Sequence, residues 1–214
     1  MVHKAISSQA LRRLPIYLHF LRSLPTDGAT NISATMIANE LKLNQVQVRK
    51  DLALVSDSGR PKIGYEIKNL ISDIEHCLGY DNTDSAVIVG AGNLGSALLA
   101  YDGFYEYGMD IVAAFDVDEN KIDTTLNGKQ VFSMDKLPGI CSRMKINIGI
   151  ITVGSKEAQK ICDLLIESGV TAIWNFAPVH LTAPDNVLIQ NENLASSLAI
   201  LSKNLAKKLG TNKV

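Results

Sequence analysis

"SAVIVGAGNLGSALLAY", residues 85–101, runs from an apolar segment through three glycines into a second apolar segment. Val87, Ile88 and Val89 form an apolar, β-branched run that ends in glycines at 90, 92 and 95, and an apolar helical pattern opens at Asn93. A buried strand, a glycine turn and a helix in that order match G-x-G-x-x-G, the phosphate-binding turn of a dinucleotide fold. Gly90 permits the tight turn, Gly92 lets a pyrophosphate approach the backbone, and Gly95 lets helix and strand pack closely. Ala91, Asn93 and Leu94 complete the loop, and the helix start supplies N–H groups and a positive dipole end.

Downstream, "MDIVAAFDVD" (109–118) reads as a second strand ending at Asp116. That position lies near the roughly 20-residue spacing of the acid that holds the adenosine ribose hydroxyls. Val117, Asp118 and Glu119 follow, with no Arg to receive a 2′-phosphate, which favours NAD(H) over NADP(H). The alternative is that Asp116 merely caps a strand. "INIGIITV" (146–153), a helix "SKEAQKICDLLIESG" opened by Ser155 and closed by Gly169, and "VTAIWNF" (170–176) continue the βαβ rhythm. Their runs are apolar throughout, as parallel strands covered on both faces require. The expected class is α/β, a doubly wound parallel Rossmann sheet over 81–190.

A dehydrogenase also needs a substrate domain and a proton donor. After the last strand signal, "NVLIQ" (186–190), only one helix remains, and His180 in "NFAPVHL" has no recognisable Arg and Asp partners. A small NAD-dependent oxidoreductase with a helical oligomerisation domain is therefore the weaker alternative, and no catalytic residue is assigned. The three cysteines, Cys77, Cys141 and Cys162, show no metal-ligand spacing and read as reduced core residues. No run approaches the roughly 20 apolar residues of a membrane span, and the start lacks a signal-peptide core, so the expected compartment is the cytoplasm.

Upstream, the chain breaks at "GYDNTD" (79–84), which sets off an N-terminal domain over 1–80. Residues 1–80 carry ten Lys and Arg against seven Asp and Glu, net +3, while 81–214 carry eleven against fifteen, net −4. That asymmetry hints at a polyanion partner for the first part. "SQALRRLPIYLHFLRSL" (8–24) is amphipathic, "SATMIANELKL" (33–43) is a helix capped by Ser33, and "NQVQVRKDLALV" (44–55) is a third in which Asn44 and Gln47 form a capping box. The tight "LKLN" turn makes a helix-turn-helix. Val48, Leu52 and Val55 share one face of the third helix, leaving Gln45, Gln47, Arg49 and Lys50 outward as base-reading and phosphate-binding types. "SDSGRPKIGYEI" (56–67) reads as the wing of a winged helix, with Arg60 and Lys62 at its tip and strand formers Ile63 and Tyr65 returning. The alternative is an ordinary solvated basic face.

At the other end, Leu194, Leu198, Leu201, Leu205 and Leu209 recur every third or fourth residue over 191–214. Such a stripe must be covered, either by the chain's own Rossmann domain or by a partner subunit.

The chain resembles the Rex redox-sensing transcriptional repressors over nearly its whole length. The resemblance rests on "ALRRLPIYLHFL", "VQVRKDLA", the wing ending "GY", "GAGNLGSALLAY", "FDVD", "AQKICDLLIESGV" and "NFAPVHL". It implies a homodimer that binds a palindromic operator when NADH is scarce and is released by NADH. It further implies that Tyr101, Thr152, Val153 and Asn175 belong to the nucleotide site, and that the terminal helix, through Leu194, Leu198, Leu201 and Leu205, is exchanged with the partner. The chain departs from the pattern at the wing, which lacks aromatic-glycine pairs, at Gly154 in place of Pro, and at Asn193 and Leu194 in place of Asp and an aromatic residue.

Overall fold

The structure is a computed structural model that describes residues 6–25, 28–81 and 84–210, and within them all but the side chain of Leu194. The chain divides between residues 82 and 83 into two units.

The first unit holds α1 (Ser8–Arg22), β1 (Asn31–Ile32), α2 (Ala34–Glu40), α3 (Gln45–Val55), β2 (Tyr65–Glu66) and α4 (Ile67–Leu78). Ser7, Ser33 and Asn44 start the first three helices by accepting N–H groups of their first turns, and Gly79 ends α4 in the left-handed region. Leu14, Tyr17, Leu18 and Leu21 of α1 pack with Ile37, Val48, Leu52, Leu70 and Ile74 in one core. The α2 and α3 pair is the helix-turn-helix.

One local expectation changes. Asn44 accepts from the backbone of Val46 and Gln47, but the Gln47 side chain does not return to it, so the capping box is only half formed. The wing is a tight loop in which Arg60 and Gly64 pair backbone to backbone, and β2 after it pairs with β1, Ile32 opposite Tyr65. Gly64 explains this, since a Cβ there would stand 2.2 Å from the Ile32 carbonyl oxygen, and its φ is +88°.

The second unit carries β3 (Asp84–Val89), α5 (Asn93–Leu99), α6 (Gly103–Glu106), β4 (Met109–Asp116), β5 (Thr125–Leu126), β6 (Lys129–Ser133), α7 (Leu137–Met144), β7 (Ile148–Ile151), α8 (Ser155–Glu167), β8 (Ala172–Asn175), β9 (Leu188–Asn191) and α9 (Leu194–Lys208). Its sheet runs β5-β6-β4-β3-β7-β8-β9, parallel except for the β5–β6 hairpin, whose turn residues Asn127 and Gly128 both have positive φ. The six parallel strands have the Rossmann order, in which the strand order reverses between β3 and β7 and opens a crevice at their carboxyl ends. On one face Val87, Val89, Phe115 and Ile151 pack on Leu137, Cys141, Cys162 and Leu165 of α7 and α8; on the other Ala86, Ile88, Ala114 and Ile150 pack with Leu99, Phe104 and Trp174. Cys141 and Cys162 are buried free thiols whose pKa burial raises, and Cys77 is half-buried.

Helix α8 begins one residue earlier in capping terms than expected: Gly154 is the cap and Ser155 the first helical residue. The crossovers from β4 to β6 and from β8 to β9 contain no α-helix. Helix α9, capped by Asn193, leaves Leu198, Leu201, Leu205 and Leu209 exposed, at 62, 64, 53 and 64 %, so the chain's own Rossmann unit does not cover the stripe. The side chain of Leu194 lies outside the described residues. No helix among the described residues is long and apolar enough to cross a membrane.

Candidate nucleotide and nucleic-acid sites

The glycine turn is built as its spacing demands. Gly90 adopts a φ of +104° that strains any side chain, and a Cβ there would crowd Thr152 and Val153 at 3.0 Å. Gly95 is stricter, as a Cβ would stand 1.9 Å from the Gly90 carbonyl oxygen. Nothing lies within 4 Å of a Cβ on Gly92, so that glycine serves open space above the turn rather than packing below it. This is the cradle a pyrophosphate fits. Thr152 laces the turn from beneath, donating its hydroxyl to the Gly90 and Val89 carbonyls at 2.7 and 3.1 Å.

Asp116, at the end of β4, is nearly buried. One carboxylate oxygen accepts the Ala91 N–H at 2.8 Å, the other those of Val117 and Asp118 at 2.8 and 3.0 Å, and Lys121 Nζ lies 3.2 Å away. Burial pushes its pKa up, but the backbone N–H groups and the Lys121 ammonium outweigh that and hold it below the usual carboxylate range. Asp116 thus fastens the glycine turn to the end of β4. Beside it a cavity of about 240 Å³ is lined by Val89, Gly90, Val117, Met134, Val153, Ile161 and Leu164, with Glu157 and Lys160 at its charged side. Its size and apolar walls suit a purine-sized group rather than a whole dinucleotide.

Of the expected nucleotide residues, the structure brings Gly90, Asp116 and Val153 to this cavity, with Ala91, Gly92, Asn93, Leu94 and Gly95 in the adjoining turn and first turn of α5. Asn175 and Tyr101 do not line this cavity. Asn175 is fully buried, its amide donating to the Ala177 and Val179 carbonyls and to Asn191 while accepting from the Ala177 N–H. It staples the loop after β8 to the end of β9. Tyr101 stands edge-on to Phe104 and lines a separate cavity of about 430 Å³ between α5, α6 and β4. Lys121 went unnoticed in the sequence because the turn after β4, closed by the Lys121 N–H on the Asp118 carbonyl at 2.9 Å, brings it back beside Asp116.

In the first unit Gln45, Gln47, Arg49, Lys50, Arg60 and Lys62 are all exposed. Arg49 from α3 and Arg60 and Lys62 from the wing line one concavity of about 360 Å³, together with Ser33, Thr35 and Tyr65. Three cations converging from two elements on an open groove form a surface for a phosphate backbone. Lys50 stands outside that groove. The two glutamines are already bonded: Gln45 donates to Asn39 at 3.1 Å, and Gln47 to Asp51 at 2.9 Å.

Asp51 is the residue that sequence reading missed. Almost fully buried, it receives a two-pronged contact from Arg13 at 2.7 and 2.9 Å and the Tyr17 hydroxyl at 2.8 Å, tying α3 to α1. Burial opposes its charge, yet Arg13, Gln47 and Tyr17 together lower its pKa; the same burial and the neighbouring carboxylate push Tyr17 up to about 12. "VRKDL" contains the signal: an acid on the apolar face of an amphipathic helix needs a buried cation, and α1 offers Arg12 and Arg13.

Residues 81–179 match the family model described as "CoA binding domain", and residues 5–53 the one described as "Putative DNA-binding protein N-terminus". The redox-sensing transcriptional repressor Rex of Treponema denticola is 44% identical over 198 residues, 92% of this chain and 94% of its own length. That of Bacteroides fragilis is 38% identical over 94% of this chain and 91% of its own. The crystal structure of RSP in complex with β-NAD⁺ and operator DNA superposes with a TM-score of 0.86 at 32% identity, covering 99% of this chain and 100% of that one. RSP in complex with β-NADH gives 0.85 at 30% identity over 96% of each chain.

Proposed function

Because the chain belongs to the Rex family of redox-sensing transcriptional repressors, we propose that it binds operator DNA when NADH is low and releases it when NADH binds. It is a regulator rather than an enzyme, and the nucleotide is its signal. The observation that carries this reading is the pairing, on one chain, of an open glycine cradle beside Asp116 with a groove into which Arg49, Arg60 and Lys62 converge. RSP, similar over the full length, has been crystallised with both kinds of ligand.

In this reading residues 1–80 bind DNA, 81–190 bind NAD(H), and 191–214 form the dimerisation helix, in the cytoplasm where operators are found. The exposed leucines of α9 supply the dimer face. Two subunits related by a two-fold axis present two recognition helices to a palindrome, whose half-sites lie roughly 34 Å apart. NADH can act only by binding one arrangement of that dimer better than the other, since equal affinity for both would shift nothing.

A gel-shift titration of the full chain on a palindromic Rex-family operator, with and without NADH, tests the reading. Retarded DNA that NADH sets free, with the NADH absorbance unchanged, is the expected result. Operator binding indifferent to NADH, or steady oxidation of NADH, would point to the oxidoreductase alternative.

A further inference from the structure

Val46, Lys50 and Ala53 fall on the exposed side of α3, opposite the buried Val48, Asp51 and Leu52, as 3.6 residues per turn require. Val46 stands in the first turn and is 61 % exposed, at the end where a reading helix meets base edges. The amides beside it are engaged within the unit: Gln45 donates to Asn39 and Gln47 to Asp51. Arg49 and Lys50, one turn on, are of the type that binds phosphate. A branched apolar group is thus left at the centre of the outward face. The major groove offers it one apolar partner, the C5-methyl group of thymine.

Resting on the operator reading above, we propose that Val46 is a specificity-determining residue, packing its γ-methyl groups on the C5-methyl group of a thymine in each operator half-site. Its shape suits the task. A β-branched side chain in a helix keeps essentially one χ1 rotamer, so the methyl groups are in place before the DNA arrives and little freedom is lost on contact. The Asn44 side chain fixes the same turn by accepting the Val46 and Gln47 N–H groups. Ala53, exposed two turns along the same face, adds no bulk that would hold the helix out of the groove. A cytosine in the thymine's place would bring its amino group against a side chain that accepts no hydrogen bond, so the contact selects thymine over cytosine.

The test titrates the full chain, Val46→Ala and Val46→Ile on a palindromic Rex-family operator in which uracil replaces thymine, one symmetric pair of positions at a time. Uracil pairs as thymine does and lacks only the methyl group. At one such pair the wild-type protein should lose about four-fold in affinity per half-site, roughly fifteen-fold for the palindrome, the worth of one buried methyl group in each. Val46→Ala should lose a similar factor on the thymine operator, bind the thymine and uracil forms of that pair alike, and keep the wild-type dependence on salt, because no phosphate contact goes. Val46→Ile should remain sensitive to uracil. Equal wild-type affinity for thymine and uracil at every pair, or a uracil penalty that Val46→Ala retains in full, overturns the proposal while leaving operator recognition standing. So does a loss in Val46→Ala that comes with a changed salt slope, which marks a displaced α3. A wild-type protein that fails to bind the thymine operator overturns the operator reading itself.

Discussion

At the scale of residues, the first unit depends on one buried carboxylate. Asp51 receives Arg13, Tyr17 and Gln47, and the unit holds its reading helix against α1 through that cluster. Asp51→Ala strands a guanidinium and a phenol, so it should lower unfolding free energy by about 3 kcal/mol, read by urea denaturation. The pH dependence has a definite sign. Asp51 has a lower pKa folded than unfolded, so its contribution is fully present above the ordinary carboxylate value of about 4 and fades as pH falls through the folded one. Acid titration of the wild-type and Asp51→Ala proteins should therefore converge at low pH. On the outer face Arg49→Ala should weaken operator binding and reduce the slope of log affinity against log salt by about one, as a lost phosphate contact does, while leaving NADH titration unchanged. An unchanged slope would remove Arg49 from the interface.

At the scale of elements, what could be read in the sequence was whatever obeys a local rule. Strand, glycine turn and helix at 85–101 follow from spacing, because a Cβ at Gly95 has nowhere to go. Gly95→Ala should thus displace the turn and abolish NADH binding in fluorescence titration, while operator binding without nucleotide survives; normal NADH affinity would show that the close approach is not needed. What could not be read depends on partners distant in sequence. Composition places the wing, but not the pairing of β2 with β1, more than thirty residues earlier. The bonds of Gln47 to Asp51 and of Asn175 to the Val179 carbonyl and Asn191 likewise depend on where the folded chain puts their partners. Lys121 was hidden by a turn that only the folded backbone reveals.

At the scale of the whole molecule, the leucines of α9 are the strongest argument for a second subunit. An exposed stripe of Leu198, Leu201, Leu205 and Leu209, with Ile200 beside it, is costly to leave in water, as apolar area contributes about 25 cal/mol per Å² when buried. The period of the stripe is legible in the leucine spacing, which leaves its cover open between the chain's own sheet and a partner; the exposure of these side chains removes the first choice. Leu198→Asp combined with Leu201→Asp tests the second, because carboxylates on a buried face would be desolvated without partners. Since both side chains are exposed within one chain, the double variant should keep its fold and its circular dichroism. It should sediment as a monomer and lose grip on a palindromic operator, whose affinity comes from two half-sites held together. Sedimentation beside operator titration decides the matter: a folded monomer that still holds the palindrome with wild-type affinity, and still releases it with NADH, would show that α9 neither joins the subunits nor carries the signal between nucleotide and DNA.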